Sequence, residues 1–195
     1  MNAKRTYETV VTPAFRVSFP SLFQPVEYPV GSGKKKYAVT MYFPKTTDMT
    51  AFKMAIEKVA RGNFGADVDL KTLKLPKFRD GDKPTETGKI IKEAAGCWVL
   101  KASSEEKNGP IKVVRADNPK IECLPADIYS GCWARAVIAV GPFNHPVGGR
   151  GVTLYLNGVQ KIKDDQPFSG RPRVEDVFDA VAETPVAPSS ESTPW

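Results

Sequence analysis

The chain has 195 residues and a formal net charge of +6, with 41% hydrophobic and 10% aromatic residues. Such a chain suits one globular domain with extensions, because a body of about 150 residues buries roughly two thirds of its unfolded surface. The sequence excludes a membrane-spanning helix, which needs about 20 apolar residues in a row, and its basic start is not followed by the apolar stretch of a secretory signal. We therefore expect a soluble, intracellular protein without a membrane partner.

The charge is divided unevenly along the chain. All 28 basic residues lie in residues 1–173, together with 17 acidic residues, so this part carries +11, whereas five acidic residues give the remainder −5. A cationic surface of this size attracts polyanions, above all nucleic acid. The acidic remainder is rich in proline and cannot bury enough apolar surface to fold alone. We predict a folded domain at residues 1–172 and a disordered acidic tail at residues 173–195.

Alternation of apolar residues predicts two strands near the start of the chain. Residues 15–23 form the first, with the odd-numbered apolar residues from Phe15 to Phe19 on one face, and Pro20 must end this strand or place it at a sheet edge. A glycine- and lysine-rich loop follows. Residues 36–43 form the second strand, whose alternate apolar residues share one face.

The period then changes to that of a helix. Apolar residues spaced by three and four positions indicate one buried helical face, formed by Phe52, Ala55, Ile56 and Val59. Thr47 or Asp48 can cap the start of this helix, and Gly62 is its predicted exit. Residues 63–95 are polar and rich in turn signals, so we predict a long, partly ordered loop.

Four further strands are predicted, at residues 96–102, 111–115, 131–140 and 151–157. The period of two places Trp133 and Arg135 outward on the third of these and Tyr155 outward on the fourth. Strands and helices do not alternate, which favours a small barrel over a doubly wound sheet. The predicted fold is mainly β, an OB-fold-like (oligonucleotide-binding) antiparallel barrel with one inserted helix and a disordered acidic C-terminal tail.

Few residues suggest catalysis. The three cysteines, Cys97, Cys123 and Cys132, fit neither a disulfide framework nor a zinc site, so we expect reduced and mostly buried thiols. The only histidine, His145, lies in a turn-like stretch without a nucleophile to serve. The glycines and lysines around Gly33 lack the spacing of a phosphate loop. We predict that the protein is not an enzyme and uses neither a cofactor nor a metal ion.

One catalytic alternative stays open. Asp80, Asp82 and Glu86 are close in sequence, and two or three carboxylates are what Mg²⁺ needs in a nuclease or resolvase. The same Asp-Gly-Asp sequence followed by Lys-Pro is also ordinary turn chemistry.

Cations interleaved with aromatic residues indicate the binding of a single nucleic-acid strand. Such binding requires a positive track for phosphates and flat side chains on which bases stack. The candidate DNA-binding residues are Lys34, Lys35, Lys36, Lys45, Lys77, Arg79, Lys101, Arg115, Tyr129, Trp133, Arg135, Arg150 and Tyr155. Stacking and phosphate contacts work on either polymer, so an RNA-binding module is a second open alternative.

Several stretches resemble a family of bacteriophage single-stranded-DNA-binding proteins. They are Tyr129-Ser-Gly-Cys-Trp-Ala-Arg135, Gly148-Gly-Arg-Gly-Val-Thr-Leu-Tyr-Leu-Asn-Gly-Val-Gln-Lys161, Tyr42-Phe-Pro-Lys45 and Arg79-Asp-Gly-Asp82. The likeness spans most of residues 10–170 and is strongest from Tyr129 to Lys161. The resemblance implies an oligonucleotide-binding fold that coats single-stranded DNA without sequence preference in phage DNA replication, recombination or repair, in the cytoplasm of the infected bacterial host.

The acidic tail is predicted to act in two ways. Its carboxylates can imitate DNA phosphates and occupy the basic groove of the free protein, and its aromatic residues can dock on a replication or recombination enzyme. The residues assigned to this role are Glu175, Asp176, Phe178, Asp179 and Trp195. A purely solubilising extension is the alternative.

Overall fold

The computed structural model describes residues 5–27, 30–146 and 148–168. Its strands are β1 (Glu8–Val11), β2 (Phe15–Glu27), β3 (Lys35–Pro44), β4 (Arg79–Asp80), β5 (Cys97–Glu105), β6 (Lys112–Arg115), β7 (Trp133–His145) and β8 (Gly149–Lys163). One α-helix in the described ranges, α1 (Thr50–Phe64), lies between β3 and β4. Short 3₁₀ turns occur at Leu70–Thr72, Lys92–Ala94, Glu106–Asn108 and Pro125–Asp127. Neither α1 nor these turns are long and apolar enough to cross a membrane.

Five strands close into a ring in the order β2, β3, β5, β8, β7 and back to β2. Neighbours in the ring are antiparallel except for β5 and β8, which run parallel and pair only at Ser103 and Tyr155. Outside the ring, β1 pairs with β7, β4 with β5, and β6 lies parallel to β8. The predicted mainly β, OB-fold-like class with one inserted helix is confirmed, although the short β5–β8 pairing leaves the ring short of a continuous barrel.

The inner faces of the ring strands form the core, as their alternation predicts. Val39, Met41 and Phe43 of β3 are fully buried, and so are Ala134 and Ile138 of β7. Full burial of a valine, isoleucine, methionine or phenylalanine side chain stabilises the fold by about 1.5–3 kcal/mol. The ring therefore encloses the apolar side chains and leaves the alternate residues of each strand on its outer surface.

Helix α1 covers part of this core with the predicted apolar face and packs against β1, β7 and β8. The predicted cap at Thr47 or Asp48 is wrong, because Met49 holds the cap position and its side chain makes no capping hydrogen bond. Asp48 lies one residue earlier and accepts the backbone N–H of Thr50 at 2.8 Å. The predicted exit at Gly62 is wrong, because the helix continues to Phe64. A Cβ atom at position 62 would lie 3.0 Å from the Thr6 hydroxyl oxygen, so this glycine lets the segment before β1 approach the helix closely.

Strand β2 passes through Pro20 instead of ending there. Beyond Val17 the strand pairs with β3 alone, so Pro20 lies at an edge, which is one of the two predicted outcomes. The register with β3 shifts between Ser18 and Ser21. This irregularity turns Phe19 outward, where it is 69% exposed with φ of 44°. The prediction that Phe19 shares the face of Phe15 is therefore wrong.

Candidate nucleic-acid interface

The outer face of β3 and β5 forms an open groove with a volume of about 360 Å³, which we call the β3–β5 groove. Residues of four strands line it: Phe19, Ser21, Val26, Lys36, Ala38, Thr40, Lys101, Ser103, Thr153 and Leu154. Ala38 lies opposite Ser103, and Thr40 lies opposite Lys101. In the OB fold, the face of the second and third barrel strands binds oligonucleotides. β3 and β5 hold those positions in this ring.

Two predicted cations meet in this groove. Lys36 and Lys101 both line it, and they are four positions apart along β3, because Lys101 lies opposite Thr40. The small side chains of Ala38 and Ser103 lie between them. Lys34 and Lys35 lead into β3 and are exposed at one end, beside Glu105 and the turn that follows it. The groove thus offers positive charge along an accessible surface, as a phosphate backbone requires.

Phe19 supplies the aromatic surface of the groove, a role that the alternation of apolar residues did not predict. A phenylalanine with positive φ costs about 1–3 kcal/mol, and such strained residues occur mainly at functional sites. Phe19 is both strained and mostly exposed. Its neighbour Pro20 was the available signal, because a proline in a strand often marks a bulge that changes which side chains face outward.

Trp133 points outward as predicted but is covered by other side chains. Its Nε1 donates a hydrogen bond to Asp165 Oδ2 at 2.6 Å. The guanidinium of Arg16 and the ammonium of Lys163 each lie 5.6 Å from the centre of its rings. The hydrogen bond from Trp133 is the main reason why the pKa of Asp165 is lowered. Arg135 also points outward, and its Nε donates to Gln160 Oε1 at 2.7 Å.

The other two aromatic candidates make internal contacts. The Tyr129 hydroxyl lies 2.8 Å from Asp164 Oδ1 and 2.8 Å from the backbone oxygen of Asp165. Tyr155 points away from the core, as predicted, but it is half-buried, and burial raises its pKa. Its ring and that of Tyr7 close over Gly141, where a Cβ atom would lie 2.8 Å and 2.5 Å from them. Tyr155 therefore serves packing between β7, β8 and the segment before β1.

Four further predicted cations, Lys77, Arg79, Arg115 and Arg150, are not among the residues that line the β3–β5 groove. Lys77 is 3.7 Å from Glu86, and the Arg79 guanidinium donates to the backbone oxygens of Asp80 and Lys83 at 3.3 and 3.2 Å. Arg115 donates two hydrogen bonds to Asp117 at 3.1 and 3.2 Å. The Arg150 guanidinium lies 5.7 Å from the centre of the Phe64 ring. The structure does not bring these residues together with Lys36 and Lys101.

Lys45 has an internal role in the structure. Its Nζ lies 2.6 Å from Asp80 Oδ1, 2.6 Å from Asp82 Oδ2 and 5.3 Å from the centre of the Trp98 rings. Hydrogen bonds from this ammonium are the main reason why the pKa values of Asp80 and Asp82 are lowered, and the two carboxylates raise the pKa of Lys45. This arrangement favours a structural role for Lys45 over a phosphate contact.

We expect Lys45→Met to lower Tm at neutral pH, because Asp80 and Asp82 lose their shared cation. Their folded-state pKa values lie below the ordinary 3.8. Their contribution to stability is therefore present above that value and is lost as the pH falls through the lowered pKa. The Tm difference between the wild type and the variant should shrink between about pH 6 and about pH 3, as differential scanning calorimetry can measure. A difference that stays constant over this range would contradict the ion-pair assignment.

The same cluster bears on the nuclease alternative. The ammonium of Lys45 lies between Asp80 and Asp82, and Asp82 Oδ1 also accepts the backbone N–H of Gly96 at 2.6 Å. Glu86 instead lies near Lys77. Across the described ranges, no three side chains of histidine, cysteine, aspartate or glutamate lie close enough to hold a metal ion. The Asp-Gly-Asp sequence forms the hydrogen-bonded turn that its composition also suggested.

The histidine, the cysteines and the tail residues singled out in the sequence complete the set of predicted sites. His145 Nδ1 accepts the backbone N–H of Gly148 at 2.9 Å, which fits a structural role in its turn. All three cysteines are free; Cys123 and Cys132 are buried, and Cys97 is half-buried. The tail residues Glu175, Asp176, Phe178, Asp179 and Trp195 lie outside the described residues.

Comparison with known proteins gives consistent matches. A family model described as "Enterobacter phage Enc34, ssDNA-binding protein" matches residues 8–187, a range that contains all eight strands. Protein p50 of the Acyrthosiphon pisum secondary endosymbiont phage 1 is 30% identical over 165 residues, which cover 80% of this chain and 83% of p50. These matches confirm the resemblance inferred from the sequence.

Solved structures of phage proteins are also similar. The single-stranded DNA-binding protein from bacteriophage Enc34, in complex with single-stranded DNA, matches with a TM-score of 0.62 and 27% identity, over 82% of this chain and 89% of that one. The single-stranded DNA-binding protein gp2.5 of bacteriophage T7 matches with a TM-score of 0.54 and 18% identity, over 94% and 100% of the two chains. The second match concerns the fold alone.

Proposed function

Because the chain belongs to the family of phage single-stranded-DNA-binding proteins represented by that of Enterobacter phage Enc34, we propose that it coats single-stranded DNA without sequence preference. The β3–β5 groove is the observation that supports this proposal most directly, since it combines Lys36 and Lys101 with the exposed ring of Phe19. The family consists of binding proteins, in agreement with the prediction that this protein is not an enzyme. Its proposed place of action is phage DNA replication, recombination or repair in the cytoplasm of the infected bacterium.

The chemistry of the groove accounts for binding without sequence preference. Lysine contacts phosphate as a point charge, and a phosphate contact carries no direct sequence information. A phenyl ring stacks on any base, because every base has a flat π face. The side chains between the lysines, Ala38 and Ser103, are too short to reach far along a base edge. Affinity should therefore depend on strand length and salt concentration more than on sequence.

Fluorescence anisotropy with labelled oligo-dT, the matching duplex and the matching RNA tests the proposal. We expect preference for the single DNA strand, and log K should fall with log salt by about 0.7 for each phosphate neutralised. Equal or tighter binding to the duplex would contradict the proposal. Tighter binding to RNA would favour the RNA-binding alternative instead.

Replacing either groove lysine should reduce the salt dependence of DNA binding by the amount expected for one lost phosphate contact. Lys36→Ala and Lys101→Ala should each weaken binding to every sequence alike and reduce the salt slope by about 0.7. Lys58→Ala is a matched control, because Lys58 lies on α1, pairs with Glu8 at 2.8 Å and is not part of the groove. A slope that changes as much in the control as in the groove variants would show that only the overall charge matters.

We also propose that the tail limits DNA binding and recruits replication or recombination enzymes through Glu175, Asp176, Phe178, Asp179 and Trp195. The opposite charges of the two parts of the chain, +11 and −5, support the first role. Deletion of residues 174–195 should raise the affinity for single strands at low salt, where charges are least screened. Unchanged affinity under these conditions would contradict competition by the tail and favour a solubilising extension.

A further inference from the structure

A short segment after β8 lies on a cluster of cations and aromatic rings next to the β3–β5 groove. We call residues 164–168 the Asp164–Phe168 segment. Its last ring, Phe168, stacks on Tyr42 with ring centres 5.7 Å apart and planes inclined by 28°. The Arg16 guanidinium lies 4.8 Å from the centre of the same Phe168 ring. An aromatic ring and a guanidinium are the partners that proteins commonly give to an unpaired base.

The carboxylates of the Asp164–Phe168 segment contact hydrogen-bond donors and cations that could also bind a phosphate group. Asp165 Oδ2 accepts from Trp133 Nε1 at 2.6 Å and lies 3.3 Å from a terminal nitrogen of Arg16. Asp164 Oδ1 lies 2.9 Å from Lys161 Nζ and 2.8 Å from the Tyr129 hydroxyl. Cationic and N–H or O–H donors of this kind also hold phosphate oxygens. The segment thus places negative charge and then an aromatic ring on the surface, as a nucleotide does.

The cluster is held in place by the ring strands and by the segment together. A terminal nitrogen of Arg16 donates to the backbone oxygen of Gln166 in the segment at 2.7 Å, but Arg16 also has a partner outside it. Arg16 Nε donates to the backbone oxygen of Gly131 at 2.6 Å, and the side chain lies on β2 where that strand pairs with β7. The segment itself forms no strand or helix, and Phe168 N–H donates to the Ser130 backbone oxygen at 2.9 Å. Displacement of the segment therefore requires no change in the pairing of the ring strands.

The cluster is continuous with the β3–β5 groove. A cavity of about 440 Å³ lies between the two, and Phe19, Tyr42, Ser130 and Phe168 are among its lining residues. Phe19 lines both this cavity and the groove. A strand that leaves the groove past Phe19 reaches the position of Phe168 next.

We propose that Arg16, Tyr42, Tyr129 and Trp133 form a second binding site for a base and phosphate of the same single strand, and that the Asp164–Phe168 segment occupies this site in the free protein. The proposal rests on the proposed function but concerns residues of the folded domain, not the acidic tail. Tyr129 and Trp133, which the sequence indicated as DNA contacts, become available only when the segment leaves.

The test compares two strand lengths on the full chain, because a single OB fold covers about 4–16 nucleotides. Asp165→Asn removes the carboxylate charge that contacts Trp133 and Arg16 and keeps the packing of Phe168. Phe168→Ala removes the ring that stacks on Tyr42. We expect each variant to bind a 16-nucleotide oligo-dT about tenfold more tightly, as for a site that is occupied nine tenths of the time in the wild type. The gain for a 5-nucleotide oligo-dT, which the groove alone accommodates, should be much smaller.

Glu57→Gln is the matched control, since it removes one carboxylate paired with Arg61 on α1 and leaves the segment intact. Unchanged or weaker binding of the longer strand by Asp165→Asn would overturn the proposal, and so would an equal gain for both lengths. If Phe168→Ala fails to fold, Asp165→Asn alone decides. Failure of the wild type to bind either oligonucleotide would instead refute the proposed function.

Discussion

Phe19→Ala should weaken the binding of single-stranded DNA by about 5- to 140-fold, which corresponds to the roughly 1–3 kcal/mol that stacking on one base contributes. The ring is 69% exposed and lines both the β3–β5 groove and the cavity beside Phe168. A base that crosses this point has an aromatic face available on its path. Fluorescence anisotropy with oligo-dT at one fixed salt concentration measures the loss.

The same variant should leave stability nearly unchanged, because it removes little buried surface. Alanine retains the Cβ atom, so the strained φ of 44° costs the same as before. Val26→Ala is a matched control: Val26 lines the same groove and is 55% exposed but has no π face. Phe19→Trp should retain binding. Equal losses in Phe19→Ala and Val26→Ala would exclude stacking as the reason for the effect.

Phe15→Ala, four residues earlier on the same strand, should lower the free energy of unfolding and leave DNA affinity nearly unchanged, the opposite of the effects expected for Phe19→Ala. The Phe15 side chain is fully buried and meets Phe43 edge to face, with ring centres 5.4 Å apart. Removal of a buried phenylalanine ring costs about 3–5 kcal/mol, against a total stability of about 5–15 kcal/mol for a typical domain. Urea unfolding followed by circular dichroism should show this loss as a lower midpoint.

DNA affinity of the folded Phe15→Ala protein should stay close to that of the wild type at a temperature well below its Tm. Phe15→Leu retains most of the buried volume and should cost much less stability. A loss of affinity in Phe15→Ala without a shift of the unfolding midpoint would mean that the inner face of β2 contributes to binding, contrary to the assignment of its two faces.

The regular elements were predictable wherever one face is buried along the whole element. β3, β7 and α1 follow their apolar period closely, because each side chain that turns inward meets the core. β1 gave no comparable signal, since it is only four residues long and none of its residues is fully buried. Phe19 was assigned to the wrong face, because the period of two fails at the register shift beside Pro20.

The candidate site was predictable in its residue types and less so in its geometry. Lys36 and Lys101 were both candidates, but their meeting depends on the pairing of β3 with β5, which no local pattern gives. The hydrogen bond from Trp133 to Asp165 likewise joins residues that are 32 positions apart in the sequence. Lys45 looked like its neighbours in sequence, and only the fold brings Asp80 and Asp82 to it. Local sequence patterns identify which side chains point outward. Contacts between distant parts of the chain decide which of those side chains are covered by other residues.

Closure of the ring also sets the order in which the protein matures during translation. Arg16 of β2 bonds to Gly131, 115 residues further along the chain, so β2 waits for its second neighbour until β7 has left the ribosome. At a synthesis rate of about 5–20 residues per second, this delay is several seconds. Over that time the apolar face of β2 and β3 lacks part of its covering, and long-range pairing is slow to form. We therefore expect the nascent chain to engage chaperones, and its solubility during rapid expression to depend on them more than that of a helical protein of equal size.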